Sequence, residues 1–140
     1  MMNIVQLSVF VENKVGRLRA ITKVLADAGV NILTMSLADT TDFGILRFIA
    51  DDPDKARNVL SDHDVMCRAT DVVAVRVAHT PGALNELLGI LGEEGIQIEY
   101  MYNYTELAGD GGLACVIILR LSDQANAAEL LRGRGIKLEN

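Results

Sequence analysis

The sequence repeats itself after 66 residues, and this repeat constrains the fold more than any other feature. Residues 9–35 match residues 75–101 at eight identical positions, where unrelated segments of this length would share roughly two. Such a duplication predicts two similar units, residues 1–70 and 71–140. Units of about 70 residues are marginally stable alone, so we expect the two to be packed together. The matched pairs are Val9 and Val75, Val11 and Val77, Gly16 and Gly82, Leu18 and Leu84, Leu25 and Leu91, Gly29 and Gly95, Ile32 and Ile98, and Met35 and Met101.

Each copy opens with a strand, a sharp turn and an amphipathic helix. The turn reads Asn13-Lys14-Val15-Gly16-Arg17-Leu18 in the first copy and His79-Thr80-Pro81-Gly82-Ala83-Leu84 in the second. Glycine at the point where the helix begins tolerates a backbone conformation that other residues resist. The repeated turn is therefore the main candidate for a shared function.

Hydrophobic periodicity predicts the same order of elements in both copies. In the first copy we expect strands at 4–11, 30–38, 44–50 and 63–69, with a turn at Thr40, Thr41 and Asp42 and helices at 17–28 and after Asp52. In the second we expect strands at 72–78, 96–104, 113–121 and 136–138, with helices at 82–94 and after Asp123. We expect Asp52 and Asp123 to cap the helices that follow them, because a carboxylate there accepts from unpaired amides. Each copy is then a β-α-β-β-α-β unit of the ferredoxin-like type, an α+β fold with two helices on one face of an antiparallel four-stranded sheet. Strand alternation predicts Leu33, Met35 and Leu37 on the face opposite Val30 and Ile32, and Tyr100, Tyr102 and Tyr104 on the face opposite Met101 and Asn103.

Composition excludes several classes of protein. The net charge of −6 offers little to a nucleic acid backbone, and no stretch reaches the roughly 18 apolar residues that a membrane helix needs. The first apolar run, residues 1–11, lacks the basic flank of a secretory signal. Cys67 and Cys115 lie in different copies without metal or redox spacing, which indicates reduced thiols. We expect a cytoplasmic protein that contacts neither nucleic acid nor membrane.

The sequence indicates no catalytic residue, metal site or cofactor. His63 and Cys67 would lie about 13 Å apart on a strand, which is too far to share a metal ion. No serine or cysteine has an adjacent base and orienting group. The paired acids Glu93-Glu94 and Asp51-Asp52 lie at predicted helix ends, where solvated charge is common. We therefore expect a protein that is not an enzyme.

The turns themselves have two interpretations. Helix N-termini at Gly16 and Gly82 present unpaired amides and the positive end of a dipole, which attract a carboxylate. Alternatively, the two glycines only permit a tight turn, and the neighbouring Lys14 and Arg17 are ordinary solvated charges. The residues alone leave both interpretations open.

Taken together, these turns, strands and helices resemble two tandem ACT domains. The resemblance rests on Asn13, Gly16 and Leu18 in the first turn, on Gly29 followed by Val30-Asn31-Ile32, and on Thr80 to Leu84, Gly95 and Ile96 to Tyr102 in the second copy. The chain is similar to the stand-alone tandem ACT proteins of bacteria. In ACT domains that bind amino acids, the turn holds the ligand against the second strand of a neighbouring domain.

The resemblance implies a non-catalytic, allosteric regulator that binds a free amino acid. It implies a homodimer, and a metabolic enzyme as a further candidate partner. Asn31 and Gln97 would be polar clamps at the start of that strand, since an amide both donates and accepts. The alternative is a protein–protein interaction module, a regulatory subunit without a small-molecule ligand. The implied ligand-binding residues are Asn13, Lys14, Val15, Gly16, Arg17, Leu18, Asn31, Ile32, His79, Thr80, Pro81, Gly82, Ala83, Leu84, Gln97 and Ile98.

Overall fold

The computed structural model describes residues 4–39 and 42–139. Within them the chain divides into two compact units, one of residues 5–70 and the other of residues 71–139 together with Ile4, and each unit is described by itself. The predicted turn at Thr40 and Thr41 lies outside the described residues.

The first unit has the predicted order of elements. They are β1 (Ile4–Glu12), α1 (Arg17–Asp27), β2 (Ile32–Asp39), β3 (Phe43–Ala50), α2 (Pro53–Asp62) and the beginning of β4 (Cys67–Ala78). The strand order is β2-β3-β1-β4, and β3 is antiparallel to both of its neighbours.

The second unit repeats this arrangement. It contains the rest of β4, then α3 (Ala83–Glu93), β5 (Ile98–Leu107), β6 (Leu113–Leu121), α4 (Gln124–Gly133) and β7 (Lys137–Leu138). The strand order is β7-β4-β6-β5, with β6 antiparallel to β4 and β5. The predicted pair of ferredoxin-like units is confirmed.

The predicted strand at residues 63–69 is wrong in its first half. The chain leaves α2 there: the amides of His63 and Val65 donate to the Leu60 carbonyl at 3.1 and 2.9 Å, and Asp64 adopts a positive φ of 59°. No break follows at Thr70 and Asp71, because β4 continues from Cys67 to Ala78. Thr70 is a β-branched residue that suits a strand, so nothing local ends it.

The strands after α1 and α3 begin two residues later than predicted. The amides of Val30 and Ile96 still donate to Leu25 and Leu91, both at 3.0 Å, and so belong to the ends of the helices. Gly29 and Gly95, with φ of 75° and 70°, allow the reversal that such helix ends require.

Each unit has a hydrophobic core between its sheet and its helices. In the first, Leu7, Val9, Leu46 and Phe48 pack with the helix residues, and in the second Val73, Val75, Ile117 and Leu119 do so. Hydrophobic periodicity also predicts that Leu84 and Leu88 of α3 face inward, but Leu84 is 38% exposed and neither residue belongs to the core of the second unit. The helix residues of these cores are Ile21, Leu25, Ala56, Leu60, Leu87, Leu91, Ala127 and Leu131.

A matched irregularity sets which side chains of β2 and β5 face the helices. The register shifts between Ile32 and Thr34 in β2, and between Ile98 and Tyr100, 66 residues later, in β5. As a result, Met35 and Leu37 pair with the core residues Phe48 and Leu46. The expectation that these side chains lie on the sheet face opposite Ile32 is therefore wrong, because the bulge interrupts the simple alternation of a strand.

In β5 the predicted alternation is confirmed. Met101 and Asn103 pair with Leu119 and Ile117 on the face covered by the helices. Tyr100, Tyr102 and Tyr104 lie on the other face and are half-buried. The ends of β2 and β5 thus bring equivalent side chains, Leu37 and Asn103, toward the start of the first helix in each unit.

Candidate functional site

The first turn places Gly16 immediately before α1. Gly16 has φ 87° and ψ −10°, a left-handed conformation. The amide of Arg17 donates to the Lys14 carbonyl at 3.2 Å, and that of Ala20 to the Gly16 carbonyl at 3.0 Å. These bonds fix the turn without using its side chains.

The second turn repeats the first in detail. Gly82 has φ 88° and ψ −14°, the amide of Ala83 donates to the Thr80 carbonyl at 3.3 Å, and that of Glu86 to the Gly82 carbonyl at 2.9 Å. The shared conformation explains why glycine stands at this position in both copies, since a residue with a Cβ pays roughly 1–2 kcal/mol in the left-handed region.

The other helix of each unit begins differently. At α2 the Asp52 carboxylate accepts from the Lys55 amide at 3.1 Å, and at α4 Asp123 accepts from the Asn126 amide at 3.3 Å, which confirms both predicted caps. No described side chain caps α1 or α3. The amides of Arg17 and Ala83 already donate within the turns, and the amides that follow them in the first turn of each helix have no side-chain cap and are available to an external acceptor.

Open space adjoins both glycines. A Cβ built on Gly16 or Gly82 meets no heavy atom within 4 Å. Packing inside the protein therefore does not explain the missing side chain. The backbone conformation requires glycine, and its small size leaves the amides accessible.

A cavity lies beside each turn. The cavity in the first unit has a volume of about 280 Å³ and the one in the second about 290 Å³; we call them the first and second turn cavities. The first is lined by Val11, Glu12, Asn13, Lys14, Leu18, Leu37, Asp39 and Gly44. The second is lined by Val77, Ala78, His79, Thr80, Ala83, Leu84, Met101, Tyr102, Asn103, Cys115 and Ile117.

Seven of the predicted site residues line these cavities. They are Asn13, Lys14 and Leu18 in the first, and His79, Thr80, Ala83 and Leu84 in the second. Val15, Gly16 and Arg17 form the turn but are not part of the lining. Pro81 and Gly82 instead border a separate depression of about 520 Å³ on the β7 side of the turn, together with Arg76 and Lys137.

Asn31 and Gln97 lie at the opposite end of their own units from the turns. Each precedes the lining residue Leu37 or Asn103 by six positions, a separation of roughly 20 Å along a strand. Their backbones are anchored locally: the Asn31 amide donates to Asp51 Oδ1 and the Gln97 amide to Ser122 Oγ, both at 3.0 Å. Within a unit, neither these side chains nor the adjacent Ile32 and Ile98 reach the cavity beside the turn.

The turn motif did not indicate the lining residues that lie on β2, β3, β5 and β6. Gly44 and Cys115 pair with the matched residues Val11 and Val77, while Leu37 and Asn103 come from the edge strands. The repeat contained one usable signal, since Leu37 and Asn103 share the 66-residue offset. The bulge that orients them is not visible in the sequence.

Charges distinguish the two turns. Glu12 lies within 3.4 Å of the Lys14 ammonium and 3.9 Å of Arg17 Nε. Both cations beside the first turn thus have an acidic neighbour. The corresponding residues of the second turn, Thr80 and Ala83, are uncharged.

A larger cavity lies away from the turns. It has a volume of about 660 Å³ and is bordered by α2 and the segment leading to Cys67. Burial raises the pKa of the Cys67 thiol, while Arg57 and a backbone hydrogen bond from Ser8 oppose the rise. Most of its lining residues are exposed, so we regard it as a polar surface depression rather than a binding site.

Neither histidine belongs to a metal cluster. His63 ends α2, with its ring Nδ1 2.9 Å from the Val59 carbonyl, rather than lying on a strand as predicted. Within residues 4–39 and 42–139, no group of three or more His, Cys, Asp or Glu side chains is placed to hold a metal ion. The helices in this part of the chain are also too short or too polar to cross a membrane.

Comparison with known proteins shows the family. A model of the ACT domain pair matches residues 2–137. The chain belongs to the ACT domain pair family. Such pairs are typical of regulatory domains that bind amino acids. No curated protein shows significant sequence similarity to this ACT domain pair.

Solved structures agree with this assignment. Protein BT0572 from Bacteroides thetaiotaomicron is 40% identical, with a TM-score of 0.89 over 99% of this chain and 92% of that one. The ligand-free regulatory subunit of aspartate kinase from Thermus thermophilus is 16% identical, with a TM-score of 0.62 over 91% and 88%. The Thermus flavus subunit is 14% identical, with a TM-score of 0.64 over 93% and 88%. The two Thermus proteins show a shared fold only.

Proposed function

We propose that this ACT domain pair is a non-catalytic regulatory protein that binds a free amino acid beside its glycine turns. One observation carries the proposal: in each unit the helix that begins at the turn is uncapped and opens beside a cavity. The second helix of the same unit is capped by an aspartate. The uncapped helix starts are therefore a local feature of the turns and not a general property of the chain.

The geometry suggests how a zwitterion would be oriented. The α-carboxylate would accept from the first-turn amides of α1 or α3, where the helix dipole favours negative charge. The side chain would then point along the cavity toward β2 or β5. Volumes of about 280 and 290 Å³ lie at the lower end of the range for small-molecule sites, which suits a ligand of this size.

The proposal includes a domain organisation and an oligomeric state. We propose that residues 1–70 and 71–140 are the two ACT-like domains, and that the protein is a homodimer. Asn31 and Gln97 can clamp a ligand only when their strand comes from a neighbouring domain or subunit, because the turn of their own unit is roughly 20 Å away. A ligand held between subunits would shift an assembly equilibrium through its different affinity for the two states.

The regulated partner that we propose is a metabolic enzyme. The support for this is membership of a family that is typical of regulatory domains. The aspartate kinase regulatory subunits named above are too distant in sequence to identify the enzyme.

A thermal unfolding assay with the twenty common L-amino acids tests the proposal. A ligand at 100 times its Kd adds about 2.7 kcal/mol to the free energy of unfolding. We expect at least one amino acid at millimolar concentration to raise the Tm, and the corresponding D-amino acid to have a smaller effect. A flat response to all twenty would remove the amino-acid function and leave the alternative below.

The second candidate is a protein–protein interaction module. It is favoured by the exposure of three apolar side chains on the edge strand β2, Leu33, Met35 and Leu37, at 45, 55 and 53%, because exposed apolar patches often mark interaction surfaces. Under this alternative, Met35→Ser would weaken association with an enzyme partner, and the glycine turns would not respond to amino acids. Under the main proposal, the glycine turns bind the amino acid and the exposed side chains of β2 contribute to association.

A further inference from the structure

The two turn cavities differ at two pairs of matched positions on their strands, which we call the floor: Leu37 and Asn103, and Gly44 and Cys115. In the first, a Cβ on Gly44 would lie 3.1 Å from Leu37 Cδ1, so the leucine side chain already covers the glycine. In the second, the Asn103 Nδ2 donates to Cys115 Sγ at 3.4 Å. The first cavity thus has an isobutyl group above a glycine, where the second has an amide next to a thiol.

The second turn cavity differs from the first in its charged groups. Its described lining contains no carboxylate, ammonium or guanidinium, and its titratable side chains are His79, Tyr102 and Cys115, whereas Glu12, Lys14 and Asp39 line the first. An acidic ligand side chain would lose its hydration in the second cavity without an ion pair to lysine or arginine, which is costly. A neutral side chain avoids that penalty.

The Asn103 amide is suited to contact a polar ligand side chain. A carboxamide presents two donor hydrogens and an acceptor oxygen, while a thiol is only a weak hydrogen-bond partner. A ligand oxygen that replaces Cys115 as the acceptor therefore forms a stronger bond than the one it displaces. Leu37 at the matched position of the first cavity has no such group.

We propose that Asn103, positioned by Cys115, makes the second turn selective for a neutral amino acid whose side chain forms hydrogen bonds. This inference depends on the proposed function, because it assigns the class of ligand to a site that must first bind amino acids. The first turn, floored by Leu37, does not share this selectivity. The two turns of one chain therefore respond to different ligands.

Calorimetry with side chains of similar shape tests the assignment. The probes are L-asparagine, L-leucine and L-aspartate, and the longer set L-glutamine, L-methionine and L-glutamate. In a Gly16→Val background, which disables the first turn, we expect the amide member of at least one set to bind about tenfold more tightly than the apolar member, the value of one added hydrogen bond. The acidic member should bind more weakly still.

The double variant Asn103→Leu/Cys115→Gly gives the second cavity the floor of the first. We expect the preference for the amide to disappear and the apolar probe to bind at least as well. Asn126→Leu makes the same chemical change at an exposed position of α4, outside the cavity lining, and should leave the preference unchanged. The measurements without floor substitutions remain informative even when the double variant does not fold.

The outcomes separate this inference from the function on which it rests. Apolar probes that bind as tightly as amide probes in the Gly16→Val protein overturn the selectivity while leaving amino-acid binding intact. An amide preference that persists in the folded double variant overturns the role of Asn103. Binding of no amino acid by the wild-type protein overturns the proposed function itself.

Discussion

The two turns share a backbone but not a chemistry. Gly16 and Gly82 differ by one degree in φ and four in ψ, and both begin helices that no described side chain caps. Their surroundings differ: in the first turn two cations lie within 4 Å of the Glu12 carboxylate, and the second has a described lining without aspartate, glutamate, lysine or arginine that contains a thiol and an amide. The duplication has therefore retained the conformation and altered the side chains that a ligand would contact.

This difference teaches which part of the site the fold requires. A left-handed glycine is needed where the chain turns from strand to helix at this angle, so it persists in both copies. The lining has no such constraint. We therefore expect general carboxylate binding to depend on the shared backbone, and discrimination between ligands to depend on the lining.

The largest expected effect comes from changing the shared backbone. Gly82→Val places a β-branched side chain at φ 88°, in open space next to the first amides of α3. We expect amino-acid binding at the second turn to weaken by at least a hundredfold, with a loss of about 1–2 kcal/mol in the free energy of unfolding. Calorimetry and urea denaturation measure the two effects separately.

Gly89→Ala is the matched control for that variant. Gly89 lies inside α3, and an added Cβ there meets nothing within 4 Å. Alanine favours a helix interior over glycine by roughly 0.5–1 kcal/mol, so this change should stabilise the protein and leave binding unaltered. Unchanged affinity in folded Gly82→Val would move the carboxylate site away from the turn.

A smaller effect should distinguish the cavities by their thiols. Cys115 lines the second turn cavity, the first contains no cysteine among its lining residues, and Cys67 lies elsewhere. In a Cys67→Ala protein, where Cys115 is the single thiol, we expect a saturating amino acid at the second turn to slow modification by a maleimide about tenfold. Gly82→Val in the same background should abolish that protection.

Cys67 provides the comparison for thiol reactivity. Burial raises its pKa, and the thiolate is the reactive form, so at neutral pH the Cys115→Ala protein should be modified slowly. The rate should increase as the pH rises toward the raised pKa. Ligand-dependent protection of Cys67 would indicate binding at the depression bordered by α2 instead of the turns.

The sequence was most informative where the chemistry is local. Asp52 and Asp123 were predicted as helix caps, because a carboxylate before the first turn accepts a free amide whatever the tertiary context. The glycine turns were recognisable for a similar reason. The continuity of β4 and the orientation of Leu37 were not, because they depend on pairing with other strands and on a bulge that alternation rules do not foresee. Asn103 and Cys115 became neighbours only through the pairing of β5 with β6.

The smallest expected effect concerns the charges of the first turn. Glu12 pairs with Lys14 and Arg17, all of them substantially exposed, and exposed pairs are worth only about 0.2–1 kcal/mol. In a Gly82→Val background, Glu12→Gln should tighten amino-acid binding at the first turn about two- to fivefold, because it removes a repulsive carboxylate and frees two cations. Added salt should reduce the gain. Asp27→Asn breaks the exposed Lys23–Asp27 pair on α1, away from the cavity, and should have no such effect; an equal gain there would attribute the change to net charge alone.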